Sequence, residues 1–76
     1  MIFIPESCQT TSGGAVGVAC VFPFIFRDKS RNSCIFEDSD SGEPWCSVQV
    51  DKEGYHIGNE GRWGYCASTC PMDSGM

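Results

Sequence analysis

Cys8, Cys20, Cys34, Cys46, Cys66 and Cys70 are the side chains with the most chemistry open to them in this 76-residue chain. Thiols at such density either pair as disulfides in an oxidising compartment or hold zinc. Structural zinc sites draw on close ligand pairs; the chain has no Cys-x-x-Cys, Cys66 and Cys70 with three residues between them have no second such pair to join, and the single histidine, His56, stands apart from every cysteine. Three disulfides are therefore expected, and with them a secreted, extracellular chain. No thiolate nucleophile is left. A serine nucleophile would need His56 as base and a buried carboxylate to orient it, in a chain with little interior to hold them. The carboxylates of residues 37–43 (Glu37, Asp38, Asp40, Glu43) share one loop instead of opposing each other across a cleft, as paired acid and base must. From Asp38 this stretch faintly resembles a calcium loop. Gln49, however, stands where a twelfth-position carboxylate belongs, so the stretch reads as a solvated acidic loop. His56 reads as an exposed loop residue, and Arg27, Lys29 and Arg31 as a polar turn. The expectation is no enzyme, no metal and no cofactor.

What remains is recognition by rings. Phe26, Trp45, Trp63 and Tyr65 lie close to cysteines along the chain, with Tyr55 a further candidate. No stretch has a helical period long enough to trust, so short strands must position these rings. Phe24, Ile25 and Phe26 form one expected strand, and Ser33, Cys34, Ile35 and Phe36 its partner, joined through residues 28–32. Residues 45–50 and 62–66 form a second antiparallel pair. Between them, residues 51–61 hold Gly54, Gly58, Asn59 and Gly61, which is loop composition. Alternate side chains of a strand face opposite sides. Trp45 then points away from Cys46, and Trp63 and Tyr65 share a face that Cys66 leaves. Cysteines staple one side while rings form an open, nearly flat platform on the other. Phe22 and Phe24 are expected to fill the core.

Length sets the fold class. A chain this short is one domain and hides only about 60% of the surface its unfolded form exposes, so cross-links must supplement the core. The class is small, disulfide-rich and mainly β, with two short antiparallel hairpins or sheets and long loops. Residues 1–19 read as a poorly structured leader tied down by Cys8, residues 20–66 as the compact unit, and residues 67–76 as a C-terminal tail including Cys70. The longest apolar run, residues 15–26, is broken by Gly17 and Pro23 and is short of the ~20 residues a membrane span needs. The first residues lack the basic and apolar regions of a signal peptide, so the chain reads as a mature one. Ten acidic against five basic residues give a net charge of −5, which argues against nucleic acid and other polyanions.

The run from Cys20 to Cys66 resembles a fibronectin type II module of the kringle-like superfamily. Cys20, Pro23, Phe24 and Phe26 match its opening, and seven residues then lead to Cys34. Ten more residues lead to Trp45-Cys46, and Trp63, Tyr65 and Cys66 match the closing motif. The resemblance implies a kringle-like fold with bridges Cys20–Cys46 and Cys34–Cys66, and with these the outer bridge Cys8–Cys70. It also implies that Phe26, Trp45, Trp63 and Tyr65, with Tyr55, line a ligand pocket. Two features depart from the family pattern. The loop before Trp63 is longer, which sets Tyr55 eight residues ahead of that tryptophan. And the loop before Trp45 reads Glu37-Asp38-Ser39-Asp40, where collagen-binding members carry an arginine. The longer loop and the cysteine after the closing motif are similar to an arthropod-type variant, some of whose members belong to defence cascades.

On this resemblance the chain is a secreted, monomeric binding module. Its partner is an extracellular protein segment, collagen-like for example, or a choline-type lipid head group held by cation–π attraction. A free extracellular peptide acting through a receptor in stress or immune signalling is the alternative. Protease inhibition, with Lys52 or Arg62 as bait, is a third.

Overall fold

The computed structural model describes residues 8–58 and 61–72; the first seven leader residues, residues 59–60 of the long loop and the last four tail residues lie outside them. Three disulfides join Cys20 to Cys46, Cys34 to Cys66 and Cys8 to Cys70, and no cysteine is free. The bridges form one cluster. Cys20 Sγ lies 4.0 Å from Cys66 Sγ, and the sulfurs of Cys8, Cys20, Cys34 and Cys70 all lie within 4.8 Å of one another. Around this cluster Phe24, Ile35 and Trp45 complete the buried core, with Phe22 packed against Phe24. Each bridge restricts the unfolded chain by about 2–4 kcal/mol, more for a longer loop. The outer bridge, which spans 62 residues, stands at the upper end.

Five short strands are set on this cluster: β1 (Thr10–Ser12), β2 (Phe24–Phe26), β3 (Lys29–Arg31), β4 (Trp45–Ser47) and β5 (Trp63–Cys66). They form two antiparallel sheets, a three-stranded one in the order β1-β5-β4 and the β2-β3 hairpin. No helix forms among the described residues, and none is long and apolar enough to cross a membrane. Small size, two sheets, long connections and three bridges are the fold class expected from sequence.

β4 and β5 pair as expected, with Trp45 opposite Tyr65, Cys46 opposite Gly64 and Ser47 opposite Trp63. Trp45, Tyr65, Ser47 and Trp63 thus occupy one face, and Cys46 the other. The partner of β2 differs from expectation. It is β3, within the stretch read as connection, reached by a two-residue turn in which Arg27 (φ 54°) and Asp28 (φ 63°) are both left-handed. A two-residue hairpin loop of type I′ has that conformation at both positions, and its twist matches that of the flanking strands. Residues 33–36 form no strand of their own. Instead Ile35 exchanges two backbone hydrogen bonds of 2.9 Å with Trp45, and Cys34 N–H donates to the Pro71 carbonyl (2.9 Å).

Residues 8–19 of the leader are also more ordered than their composition promises. Thr10 is buried, β1 forms the outer strand of the larger sheet, and Cys20 N–H donates to the Cys8 carbonyl at 3.2 Å. Gly64 makes that docking possible. A Cβ there would lie 2.5 Å from both the Ala15 carbonyl oxygen and Thr10 Cγ2. Gly64→Ala is accordingly expected to lower stability by about 1–3 kcal/mol, the usual result of overpacking. The check is the urea midpoint together with amide exchange of residues 10–12, which should accelerate.

Candidate functional site

The aromatic faces of both sheets meet in a cleft of about 320 Å³. Phe26 comes from β2, Trp45 from β4, and Trp63 and Tyr65 from β5; His56 and Gly58 of the long loop and residues 38–40 of the acidic loop complete the lining. Four of the five ring positions expected from sequence are therefore brought together. Tyr55 lies outside this lining: its residue bridges to Ile25 and is 42% exposed. The surface is concave, unlike the flat, open platform expected.

Trp45 accounts for much of that concavity. It was expected on an open face, yet only 6% of it is exposed. Phe26 meets its ring edge-on at 5.1 Å, while Phe24 (5.6 Å) and His56 (5.1 Å) pack at oblique angles. Its indole N–H donates to the Glu37 carbonyl at 2.7 Å, which satisfies the one polar atom of a buried ring. Trp45 is the floor of the cleft. Trp63 and Tyr65 remain half-buried and meet edge to face, with centroids 4.9 Å apart.

No local sequence pattern marks His56 as a cleft residue. Expected to be exposed, it is half-buried against Phe24, Phe26 and Trp45. Its loop is carried there by local chemistry. Asp51 Oδ1 accepts from the backbone N–H of Glu53 and of Tyr55 (both 2.9 Å), closing a turn. That turn then docks on β2: Ile25 N–H donates to the Gly54 carbonyl (2.8 Å) and His56 N–H to the Ile25 carbonyl (2.9 Å). The Ser47 hydroxyl donates to the Gln49 carbonyl (2.9 Å), so its oxygen accepts the proton carried by His56 Nδ1 (2.7 Å). Burial holds the His56 pKa below its ordinary 6.5.

The polar turn and the acidic loop are one assembly. Arg31, with a nearly buried side chain, forms an ion pair with Glu37 and donates to the Phe26 carbonyl (3.1 Å). Arg27 reaches Glu37 and Asp38, each at 3.6 Å, and lies 5.3 Å from the centre of the Phe26 ring. The Arg31 guanidinium, foremost, holds the Glu37 carboxyl below the usual carboxylate range. Glu37 thus anchors the acidic loop at one wall through its side chain while its carbonyl holds Trp45. Of the proposed bait residues, Lys52 is exposed in the Asp51 turn, whereas Arg62 is half-buried and its carbonyl accepts from Val48 N–H (2.9 Å).

Comparison with known proteins agrees with this geometry. Residues 20–66 match the model of the fibronectin type II domain. The chain is 34% identical over 65 residues to the 72 kDa type IV collagenase of Gallus gallus, covering 84% of this chain and 9% of that protein. It is 44% identical over 50 residues to the cation-independent mannose-6-phosphate receptor of Homo sapiens, covering 66% of this chain and 2% of the receptor. To matrix metalloproteinase-9 of Canis lupus familiaris it is 34% identical over 56 residues, 74% of this chain and 7% of that protein. The chain therefore spans less than a tenth of these relatives. No solved structure matches it.

Both shifted groups of the site act in the same direction on stability. His56 is protonated more readily in the unfolded chain, so stability falls as pH drops below about 6.5. Glu37 contributes above its unfolded pKa, and that contribution is lost as pH falls through its lower folded value. Between about pH 7.5 and 5.5 histidine is the principal side chain to titrate, and His56 is the sole one. The urea midpoint of the parent should fall across this window, and that of His56→Gln should stay flat.

Proposed function

The chain belongs to the fibronectin type II family, and we propose that it is a secreted binding module that grips a collagen-like segment of an extracellular protein in its aromatic cleft. The observation that carries this reading is the convergence of Phe26, Trp45, Trp63 and Tyr65 on one concave surface. A buried tryptophan supplies the floor, and two half-buried rings remain available for contact. Rings held this way bind with little further loss of freedom and offer flat faces to proline and aliphatic side chains. Type IV collagen appears in the name of one relative, which supports a matrix partner. The half-buried rings act as the gripping pair, and Tyr55 as an outer contact beyond the rim.

A second ligand class is favoured by one specific feature. Asp38 and Asp40 line the same cleft, and a choline-type head group would meet aromatic faces and carboxylates together. Cation–π contacts of this sort are worth roughly 0.5–2 kcal/mol each.

Chromatography on immobilised gelatin and NMR titration with phosphocholine test the two readings side by side. Retention on gelatin is expected, with the rings of Trp63 and Tyr65 responding to a soluble collagen-like peptide. Trp63→Ala should weaken binding about tenfold or more, as removal of a central ring does, and Tyr55→Ala by less. A response to phosphocholine alone, without gelatin retention, would favour the head-group reading. Silence toward both at millimolar concentration rejects the cleft as a site for either.

A further inference from the structure

We infer that the Gly13-Gly14 turn, which precedes the family's matched region, positions Trp63 by laying bare main chain against its indole. The inference rests on the proposed role of the cleft only in what it says about ligand affinity; the placement of the ring stands apart from it.

The observations begin with the path of the chain. Residues 8–20 fold back on themselves: Gln9 bridges Ala19, Thr10 N–H donates to the Val18 carbonyl (2.9 Å), and Gly17 N–H to the Thr10 carbonyl (2.8 Å). Thr10 Oγ1 accepts from Val18 N–H at 3.1 Å, so the buried threonine closes the excursion from within. Its base is held at both ends, by Cys8–Cys70 and Cys20–Cys46. β1 runs along β5 with its register broken between Thr10 and Ser12, and the turn that follows reaches Trp63.

There the main chain comes closer than any side chain would allow. A Cβ at Gly13 would stand 2.8 Å from Trp63 Cζ3 and 3.1 Å from Tyr65 Cδ2. At Gly14 it would stand 2.8 Å from Trp63 Nε1 and 3.0 Å from the Trp63 carbonyl oxygen. The two glycines therefore touch the six-membered ring and the pyrrole nitrogen of the same indole. A side chain at either position would push the indole or the turn aside. Backbone without side chains fixes the ring on one side and leaves its other surface to line the cleft, so less freedom is lost when a ligand arrives. Gly13-Gly14 is thus a positioning element acting through Trp63.

Three single variants of the full chain and one double variant test this. Gly14 has no left-handed backbone, so Gly14→Ala adds a methyl group at the indole without the strain of a positive φ. Gly17 (φ +73°) has nothing within 4 Å of its Cβ position, so Gly17→Ala strains the same excursion without touching Trp63. In ligand-free protein, Gly14→Ala should shift the Trp63 indole N–H resonance well beyond that of Trp45, and Gly17→Ala should leave both in place. On immobilised gelatin, Gly14→Ala should bind about tenfold more weakly and Gly17→Ala within about twofold of the parent. Trp63→Phe removes the nearest crowded atom, the indole Nε1, and keeps the main-chain contacts to the residue 63 carbonyl (3.0 Å) and Gly61 N (3.1 Å), so Gly14→Ala should cost Trp63→Phe less of its thermal midpoint than it costs the parent. An unmoved indole in Gly14→Ala, equal shifts in both glycine variants, or a Gly14→Ala cost as large in Trp63→Phe as in the parent would each overturn the inference. If the parent ignores gelatin, the binding reading falls, and the indole shift and the double variant still decide the role of the turn.

Discussion

Among the described residues, four of the seven buried apolar ones are half-cystines, and that substitution of sulfur for hydrocarbon is the constraint from which the rest of the architecture follows. A chain of this length cannot seal all its rings in an interior and still present a binding surface. By gathering three bridges into one contiguous cluster, it fixes strands of only three or four residues that would not persist alone. Cys46 and Cys66 attach β4 and β5 to the cluster, and period-two alternation then sends Trp45, Trp63 and Tyr65 to the other side. Staple and site are two faces of the same pair of strands.

The cleft owes its depth to polar connections rather than to more hydrophobic mass. Glu37 joins the acidic loop to the β2-β3 hairpin through Arg31 and to the floor of the site through the Trp45 indole. The Asp51 turn brings His56 against the same floor. On the far side, the Gly13-Gly14 turn lies against Trp63. Two loops of unrelated composition thereby act as walls and a third backs Trp63 from outside the lining, each held by backbone or charge-assisted hydrogen bonds, which are strong where partly shielded from water.

Much of this was legible in the residues themselves. Cysteine density without a second close ligand pair beside Cys66 and Cys70 pointed to disulfides, and the division of faces across β4 and β5 followed from alternation. The spacing from Cys20 to Cys66 carried the family. Other features left weak traces because they depend on distant partners. The Arg27-Asp28 turn lacks the Asn-Gly or Asp-Gly sequence that usually announces a two-residue hairpin, so β3 was read as connection. The leader looks loose because it is polar and glycine-rich. The order of residues 10–15 comes from docking on Gly64 and Trp63, about fifty positions away in the chain, which no local pattern records. His56 sits in loop composition and becomes a cleft residue only through backbone bonds to Ile25. Trp45 is buried because the floor position needs a ring whose N–H can reach the Glu37 carbonyl, a contact that strand periodicity does not describe.

Near-ultraviolet circular dichroism before and after reduction bears most directly on this picture. With the sulfur cluster intact, Trp45, Trp63 and Tyr65 sit in fixed asymmetric surroundings and should give a strong, structured aromatic band. Complete reduction without denaturant should abolish that band together with the β signature in the far ultraviolet. A fully reduced chain that keeps its aromatic band would show that the rings are arranged by something other than the cross-linked cluster.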